Sequence, residues 1–366
     1  MRWWTAVLGA LCTAWGAAWA GQVAAEPVTA RVEGGVLVGE ATERANVFRA
    51  VPYAAPPVGP LRWRPPQPVV PWAGERDATK NGPSCPQPMN ADGTPNAFGG
   101  ANGPVSEDCL QLYVFAPRTS GKEAVKKAPV MVWIHGGGHR VGAGWVYDGQ
   151  NFARDGVVVV SMNYRLGPLG YLAHPALTRD AGAEPTGNFG LMDQIAALKW
   201  VKRNIAAFGG DPANVTIFGE SAGGASVLAL LATPGARGLF KGAIVQSGGG
   251  WGPPRTLAQM EAAGVETLAK AGAPEGATAA QLREIPFEKL VGLGGDYGPF
   301  QDGRLMTLTP AQALARGRAA DVPLIIGWNS GEDAVAFGGL LGPAEQLRTD
   351  DDRDRFTDRA FGAPAR

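Results

Sequence analysis

The chain has 366 residues, enough for one large α/β domain or two ordinary ones. With 45% hydrophobic and 18% charged residues it carries the material of a large core, which excludes a disordered or low-complexity class. Lys plus Arg and Asp plus Glu both number 33, so no global field draws the chain to nucleic acid or an anionic membrane, and a small substrate fits better.

Residues 1–20 read as a secretory signal peptide. Arg2 supplies the positive start, residues 3–17 are mostly apolar, and Ala18-Trp19-Ala20 has the small-x-small cleavage pattern, which puts the cut before Gly21. A second cleavage position follows Ala24-Ala25. An uncleaved anchor is the competing reading, but the apolar run is shorter than the roughly 20 residues a spanning helix needs, so no stable membrane anchor is expected. Cys12 leaves with the signal, and Cys85 and Cys109 remain. In an oxidising compartment, secreted or periplasmic, two cysteines suggest one disulfide, worth roughly 3 kcal/mol for a loop of about 25 residues. Two buried free thiols are the alternative.

From residue 26 to 117 the chain is rich in Pro and Gly, with strand-like runs at 35–38 and 111–115, which reads as an antiparallel opening region. Beyond it, short apolar runs alternate with helical periodicity, the signature of a mostly parallel sheet with crossover helices on its faces. Strands are predicted at 130–134, 157–162, 215–218, 243–246 and 323–326. Between the second and third of these, Leu191, Ile195, Leu198, Val201, Ile205 and Phe208 recur at spacings of three and four, which makes one apolar helical face. Gly209-Gly210-Asp211-Pro212 ends that helix. A helix-like run follows at 225–232, and Thr309-Pro310 opens another with a side-chain cap and a proline at the first helical position. No repeat or low-complexity linker divides residues 21–366, which read as one domain.

Gly219-Glu220-Ser221-Ala222-Gly223 matches the G-x-S-x-G pattern. The pattern alone is weak, since eight serines among 53 glycines give about 0.2 such matches by chance. Its setting is informative: it follows the strand at 215–218 and precedes the helix-like run, the strand, sharp turn and helix of a nucleophile elbow. Glycines at 219 and 223 let strand and helix approach while the serine is held in a strained conformation. A serine that attacks a carbonyl also needs donors aimed at the developing oxyanion. His135-Gly136-Gly137-Gly138 follows the strand at 130–134, so the amides of Gly137 and Gly138, joined by that of Ala222, can converge on one oxygen.

These motifs resemble the type-B carboxylesterase family, which includes cholinesterases and bacterial para-nitrobenzyl esterases. The resemblance rests on Phe48-Arg49-Ala50-Val51-Pro52-Tyr53-Ala54, Pro56-Pro57-Val58-Gly59, Ser106-Glu107-Asp108-Cys109-Leu110, Asn163-Tyr164-Arg165, Gly187-Asn188 through Asp193-Gln194, and the stretch from Phe208 to Gly224. It implies an α/β-hydrolase fold with a triad in the order serine, glutamate, histidine. Gly327-Trp328-Asn329-Ser330-Gly331-Glu332 resembles the family's glutamate segment, which makes Glu332, buried after a buried strand, the expected acid. Asp333 is its rival, and a solvated turn residue the plain alternative. The resemblance also places Glu220 as an active-site lining residue, with a backbone hydrogen-bonding role near the elbow equally open, and pairs Cys85 with Cys109.

A departure follows. The chain has three histidines, His135, His139 and His174, all before Ser221, whereas the family's catalytic histidine follows the acid. His135 belongs to the glycine loop, and His174 reads as a surface or loop residue. His139 stands where relatives carry an aromatic and borders the active site, but its loop is committed to the oxyanion. Residues 356–366 resemble a segment that in relatives lies between acid and histidine, so the domain is expected to be incomplete at its C-terminus, leaving a sheet edge unpaired, apolar surface uncovered and solubility poor. The expected function is hydrolysis of a small-molecule carboxylic ester through an acyl-serine, impaired in this chain. A non-catalytic binding protein is the alternative, and a lipase finds no amphipathic lid helix in its support. No zinc-ligand spacing, phosphate loop or dinucleotide fingerprint is present, so no cofactor or metal is expected.

Overall fold

In the computed structural model, residues 26–90, 94, 100–118, 127–249, 252–330 and 332 are described. The signal peptide, Asp333 and the segment 356–366 lie outside them. The opening region forms β1 (Glu26–Val32), β2 (Gly35–Ala41), β3 (Asn46–Pro52), the short β4 (Glu75–Asp77) and β5 (Gln111–Ala116). β6 (Ala128–Ile134), α1 (Gln150–Arg154) and β7 (Val158–Met162) follow, then α2 (Gly167–Tyr171), α3 (Pro175–Ala181) and α4 (Phe189–Asn204). Next come β8 (Gly210–Glu220), α5 (Ala222–Ala232) and β9 (Gly242–Gln246). The last elements are α6 (Leu257–Lys270), α7 (Ala279–Arg283), α8 (Glu288–Val291), α9 (Pro310–Ala315) and β10 (Leu324–Gly327).

The strands form one sheet in the order β1-β2-β3-β5-β7-β6-β8-β9-β10, with β4 beside β2. The ladders from β1 to β2, β3, β5 and β7 are antiparallel, as the opening region suggested. From β7 through β6, β8 and β9 to β10 all pairings are parallel. The class is therefore the mostly parallel, helix-flanked sheet read from the apolar runs.

Parallel strands at the centre of a sheet are covered on both faces, so they read as continuous apolar runs. β7 and β5 are buried at every position. The core runs through Val130, Val132 and Ile134 of β6, Val215 and Ile217 of β8, and Leu191, Leu198, Trp200 and Val201 of α4. The predicted helix end holds: α4 passes into a 3-10 turn at Ile205–Phe208, and Gly209 closes it at φ 81°. Below α4 lies a buried ion pair, in which Arg165 Nε donates to Asp193 Oδ2 at 2.8 Å and Nη2 to Oδ1 at 2.7 Å. Asp193 also accepts from the Arg165 amide at 3.0 Å. Cys85 and Cys109 form a disulfide with their Cα atoms 5.1 Å apart.

Two expectations need correction. Residues 257–291, where no helix was predicted, form α6, α7 and α8. They pack through Leu268, Leu282 and Leu290 on Trp63, Leu172 and Leu177, a second apolar cluster beside the main core. A capping box signals two of these helices, Thr256 with Gln259 and Thr278 with Gln281, and the same box at Thr309 with Gln312 starts α9. The strand before Glu332 was expected to be buried, yet all four residues of β10 are exposed, Ile325 to 67%, and Trp328 beyond them to 76%. The reason is position: among the described residues β10 stands at the end of the sheet and pairs with β9 alone.

Candidate active site

Ser221 occupies the turn between β8 and α5 with φ 55° and ψ −121°, a left-handed conformation that is costly for a residue with a side chain. The turn is held on both sides: the Ser221 amide donates to Gln246 O at 2.9 Å, and Ala225 N donates to Ser221 O at 2.9 Å. Close approach demands the flanking glycines. A Cβ at Gly223 would lie 2.0 Å from Ile134 O, and one at Gly219 would lie 2.6 Å from Gly223 C. This is the strained strand-to-helix turn expected from the sequence.

The glycine loop leaves the end of β6 and folds against that turn. A Cβ on Gly136 would stand 3.2 Å from Ser221 Cβ. Gly137, Gly138 and His139 take successive positive φ values of 103°, 61° and 54°. Among the described residues, the Gly137 and Gly138 amides donate to no protein acceptor. Gly138, Ser221 and Ala222 line one cleft of about 760 Å³ together with His139, Ser247, Arg255, Tyr297, Phe300 and Met306. A comparable cleft of about 730 Å³, lined by Tyr53, Pro65 and Lys199, has no serine, threonine or cysteine among its lining residues.

None of the three histidines hydrogen-bonds the Ser221 hydroxyl. His135 stacks on Tyr164 with ring centroids 4.4 Å apart, and its Nδ1 lies 2.8 Å from Gly136 O. Burial pushes its pKa down to about 4. His139 Nε2 lies 3.0 Å from Ser226 Oγ, which also accepts from Gln194 Nε2 at 3.0 Å. Burial first, and then the Arg255 charge, push the His139 pKa down to about 3, so both loop imidazoles are neutral. His174 caps the start of α3, its Nδ1 accepting from Ala176 N at 3.1 Å.

Glu332 sits beyond β10 and is partly exposed rather than buried, because the edge strand before it is uncovered. Its Oε1 accepts from the Ser247 hydroxyl, from Asn329 N at 2.9 Å and from Asn329 Nδ2 at 3.1 Å. The Ser247 bond and then the Asn329 amide lower its pKa below the ordinary 4.5. Ser247 follows β9 with φ 49°, and its amide donates to Gly327 O at 2.8 Å, which ties the end of β9 to the end of β10. Nothing in the sequence singled out Ser247, since its partner is 85 residues away. Glu220 is exposed overall, but its carboxylate borders Gly136, and desolvation followed by the Glu332 charge raises its pKa. Among the described residues it accepts no hydrogen bond from the elbow's backbone.

A mostly parallel sheet, a strained serine at the strand-to-helix turn and a glycine loop against it define an α/β-hydrolase. Solved structures agree. The chain superposes on a PNB esterase with a TM-score of 0.77 at 36% identity, covering 92% of this chain and 70% of that one. For a Geobacillus stearothermophilus carboxylesterase the TM-score is 0.76 at 39% identity, covering 90% and 67%. The carboxylesterase family model matches residues 22–364, and the chain belongs to the carboxylesterase family. Among curated relatives, it is 39% identical to the para-nitrobenzyl esterase of Bacillus subtilis (strain 168) over 90% of this chain and 67% of that protein. It is 42% identical to the fumonisin B1 esterase of Sphingopyxis macrogoltabida over 78% of this chain and 53% of that protein. The chain thus spans between about half and two thirds of the length of these relatives.

Proposed function

We propose that the protein hydrolyses small-molecule carboxylic esters through an acyl-serine intermediate. The observation that carries this reading is Ser221 itself, held at φ 55° on the cleft beside two glycine amides that no protein acceptor occupies. Ser221 Oγ attacks the ester carbonyl and the alcohol leaves. The Gly137, Gly138 and Ala222 amides receive the oxyanion, each such donor being worth about 3 kcal/mol in comparable sites. Water then releases the acid. Membership in a family whose relatives carry the printed names para-nitrobenzyl esterase and fumonisin B1 esterase supports the substrate class.

The serine proton needs a base. His135 and His139 are neutral, but both are engaged away from Ser221, and His174 caps a helix. Glu332 offers its Oε1 to Ser247 and Asn329, which leaves Oε2 free of donors among the described residues and suited to orient an imidazole. We therefore infer that none of these three imidazoles is the base, and expect the 366-residue polypeptide alone to turn over poorly. The disulfide and the apolar leader support a secreted or periplasmic location. Among the described residues no helix is long and apolar enough to cross a membrane.

The same missing contact favours one second reading, a binding protein that keeps the fold without the chemistry. Fluorophosphonate labelling and hydrolysis of a short-chain aryl ester, with and without added imidazole, separate the two. Labelling that is lost in Ser221→Ala, and slow turnover that imidazole accelerates, are expected of the esterase. Full-rate, Ser221-dependent turnover without imidazole would overturn the inference about the base. No labelling and no turnover under any condition would favour the binding protein.

A further inference from the structure

The segment leading into the disulfide is stitched to the far side of the glycine loop by three side chains. Asn163 Oδ1 accepts from Gly144 N at 2.8 Å while its Nδ2 donates to Pro83 O at 3.1 Å. Trp145 Nε1 donates to Ser84 Oγ at 2.9 Å. Gln87 is the most committed. Only 2% exposed, it accepts at Oε1 from Gly142 N at 2.9 Å and Ala101 N at 3.2 Å. Its Nε2 donates to Gly142 O at 2.9 Å and Cys85 O at 3.0 Å. A carboxamide has two donors and two acceptor lone pairs, so this side chain is fully used. Half of that capacity holds both main-chain groups of one residue, as a neighbouring strand would.

That residue closes the glycine turn. Gly142 has φ 114°, and a Cβ there would fall 2.4 Å from His135 Nδ1 and 3.0 Å from Gly136 O, so its backbone lies flat against the peptide that precedes Gly137. Beside it, Arg140 N and Val141 N donate to Gly137 O at 3.0 and 3.1 Å, and Val141 O lies 2.3 Å from where a Gly137 Cβ would be. The planes of the Gly137 and Gly138 peptides are set by where residues 140–142 stand. The other end of the loop is anchored separately, by Gly167 N to His139 O at 2.6 Å and by the contact of His139 with Ser226.

We propose that Gln87 is a positioning residue for the oxyanion site: it fixes Gly142, and through the turn at Gly137 it aims the Gly137 and Gly138 amides. It touches no substrate. The inference rests on reading those two amides as the oxyanion donors. Misplacing such groups by about 1 Å can cost on the order of a hundredfold in rate, and the loop's second anchor confines the effect of losing Gln87 to one end of the turn.

The test compares the parent chain with Gln87→Met, which removes all four hydrogen bonds at similar volume, and with Ser84→Ala, which loosens the same seam without touching Gly142. Amide hydrogen exchange of residues 136–144 is expected to speed up at least about tenfold in Gln87→Met and to stay within about twofold in Ser84→Ala, with β6, β8 and α5 unchanged in both. Ester turnover, with imidazole where needed, is expected to show kcat about ten- to a hundredfold lower in Gln87→Met and KM within about twofold. Should Gln87→Met not fold, Gln87→Glu carries the same comparison, since it keeps the two accepting contacts and sets a carboxylate oxygen against Gly142 O and Cys85 O. Unchanged exchange at 136–144, protection lost evenly across the sheet, or an unchanged kcat would each overturn the proposal. A parent without Ser221-dependent turnover overturns the esterase reading instead, and the exchange comparison alone then decides whether Gln87 holds the loop.

Discussion

Ser247 and Glu332 are 85 residues apart, and one hydroxyl joins them. That hydroxyl is the largest cause of the lowered Glu332 pKa, while the Glu332 charge is the second cause of the raised Glu220 pKa, after burial. Removing the hydroxyl in Ser247→Ala is expected to move the Glu332 titration up toward 4.5, and removing the charge in Glu332→Gln to move Glu220 down. Carboxyl chemical shifts followed against pH read both. The linked stabilities have opposite signs. Glu332, depressed when folded, contributes stability above 4.5 that is lost as pH falls through its folded pKa. Glu220, raised when folded, favours the fold at low pH and loses that contribution as pH rises through its folded value.

The two loop histidines supply a stronger pH dependence. An imidazole with an ordinary pKa of 6.5 that is held near 4 at His135 and near 3 at His139 takes up its proton in the unfolded chain first. Stability is therefore lost as pH falls below 6.5, and by pH 4 each site costs on the order of 3 kcal/mol. A falling melting temperature between pH 6.5 and 4 is expected, with a clearly smaller slope in His139→Phe, which keeps an aromatic ring against Tyr171 and has nothing to protonate. An equal slope in that variant would show that His139 does not carry its share.

Among the elements, β8, its turn and α5 form the unit the rest of the site is built on. Its tolerance is set by the gap between Gly223 and Ile134 O. Gly223→Ala would put a methyl carbon 2.0 Å from that oxygen, so helix or strand must move. A loss of about 3 kcal/mol or more is expected from denaturant unfolding. At Gly235→Ala, where nothing stands within 4 Å, the change should stay within about 0.5 kcal/mol. This unit was legible in the sequence because its signals are local: an apolar strand, a glycine, a serine, a glycine and an apolar helix follow one another without a break. The helices over residues 257–291 were harder to see, because they bury only part of their length. Only Gly264 and Leu268 of α6 are buried, so few large apolar side chains mark its inner face, and the capping boxes were the better signal.

For the molecule as a whole, the exposed end of the sheet is the feature with the plainest consequence. Leu324, Ile325, Ile326 and Trp328 stand 38%, 67%, 42% and 76% exposed on and beside a strand with one neighbour among the described residues. Such a surface binds apolar probes and pairs with other edges. The 366-residue polypeptide is expected to bind anilinonaphthalene sulfonate while folded and to self-associate at micromolar concentration, and Ile325→Lys is expected to reduce both. A monomer that binds no dye, by light scattering and fluorescence, would show that this surface is covered in solution.

The amino-acid order alone determined the parallel strands, the helices at 191–208, at 225–232 and after Thr309, the strained serine turn and the glycine loop, because each depends on residues within about ten positions of one another and on the two periodicities of strand and helix. Glu332 was marked only through the resemblance of residues 327–332 to the family's glutamate segment. Tertiary structure decided what surrounds them: that Ser247 holds Glu332, that Ser226 and Gln194 hold His139, that Gln87 holds Gly142, and that the strand before Glu332 is exposed. Those contacts join residues tens of positions apart, and a hydrogen bond of 3 Å leaves no trace in local composition. Exposure depends on sheet order, which the periodicity of a single strand does not contain.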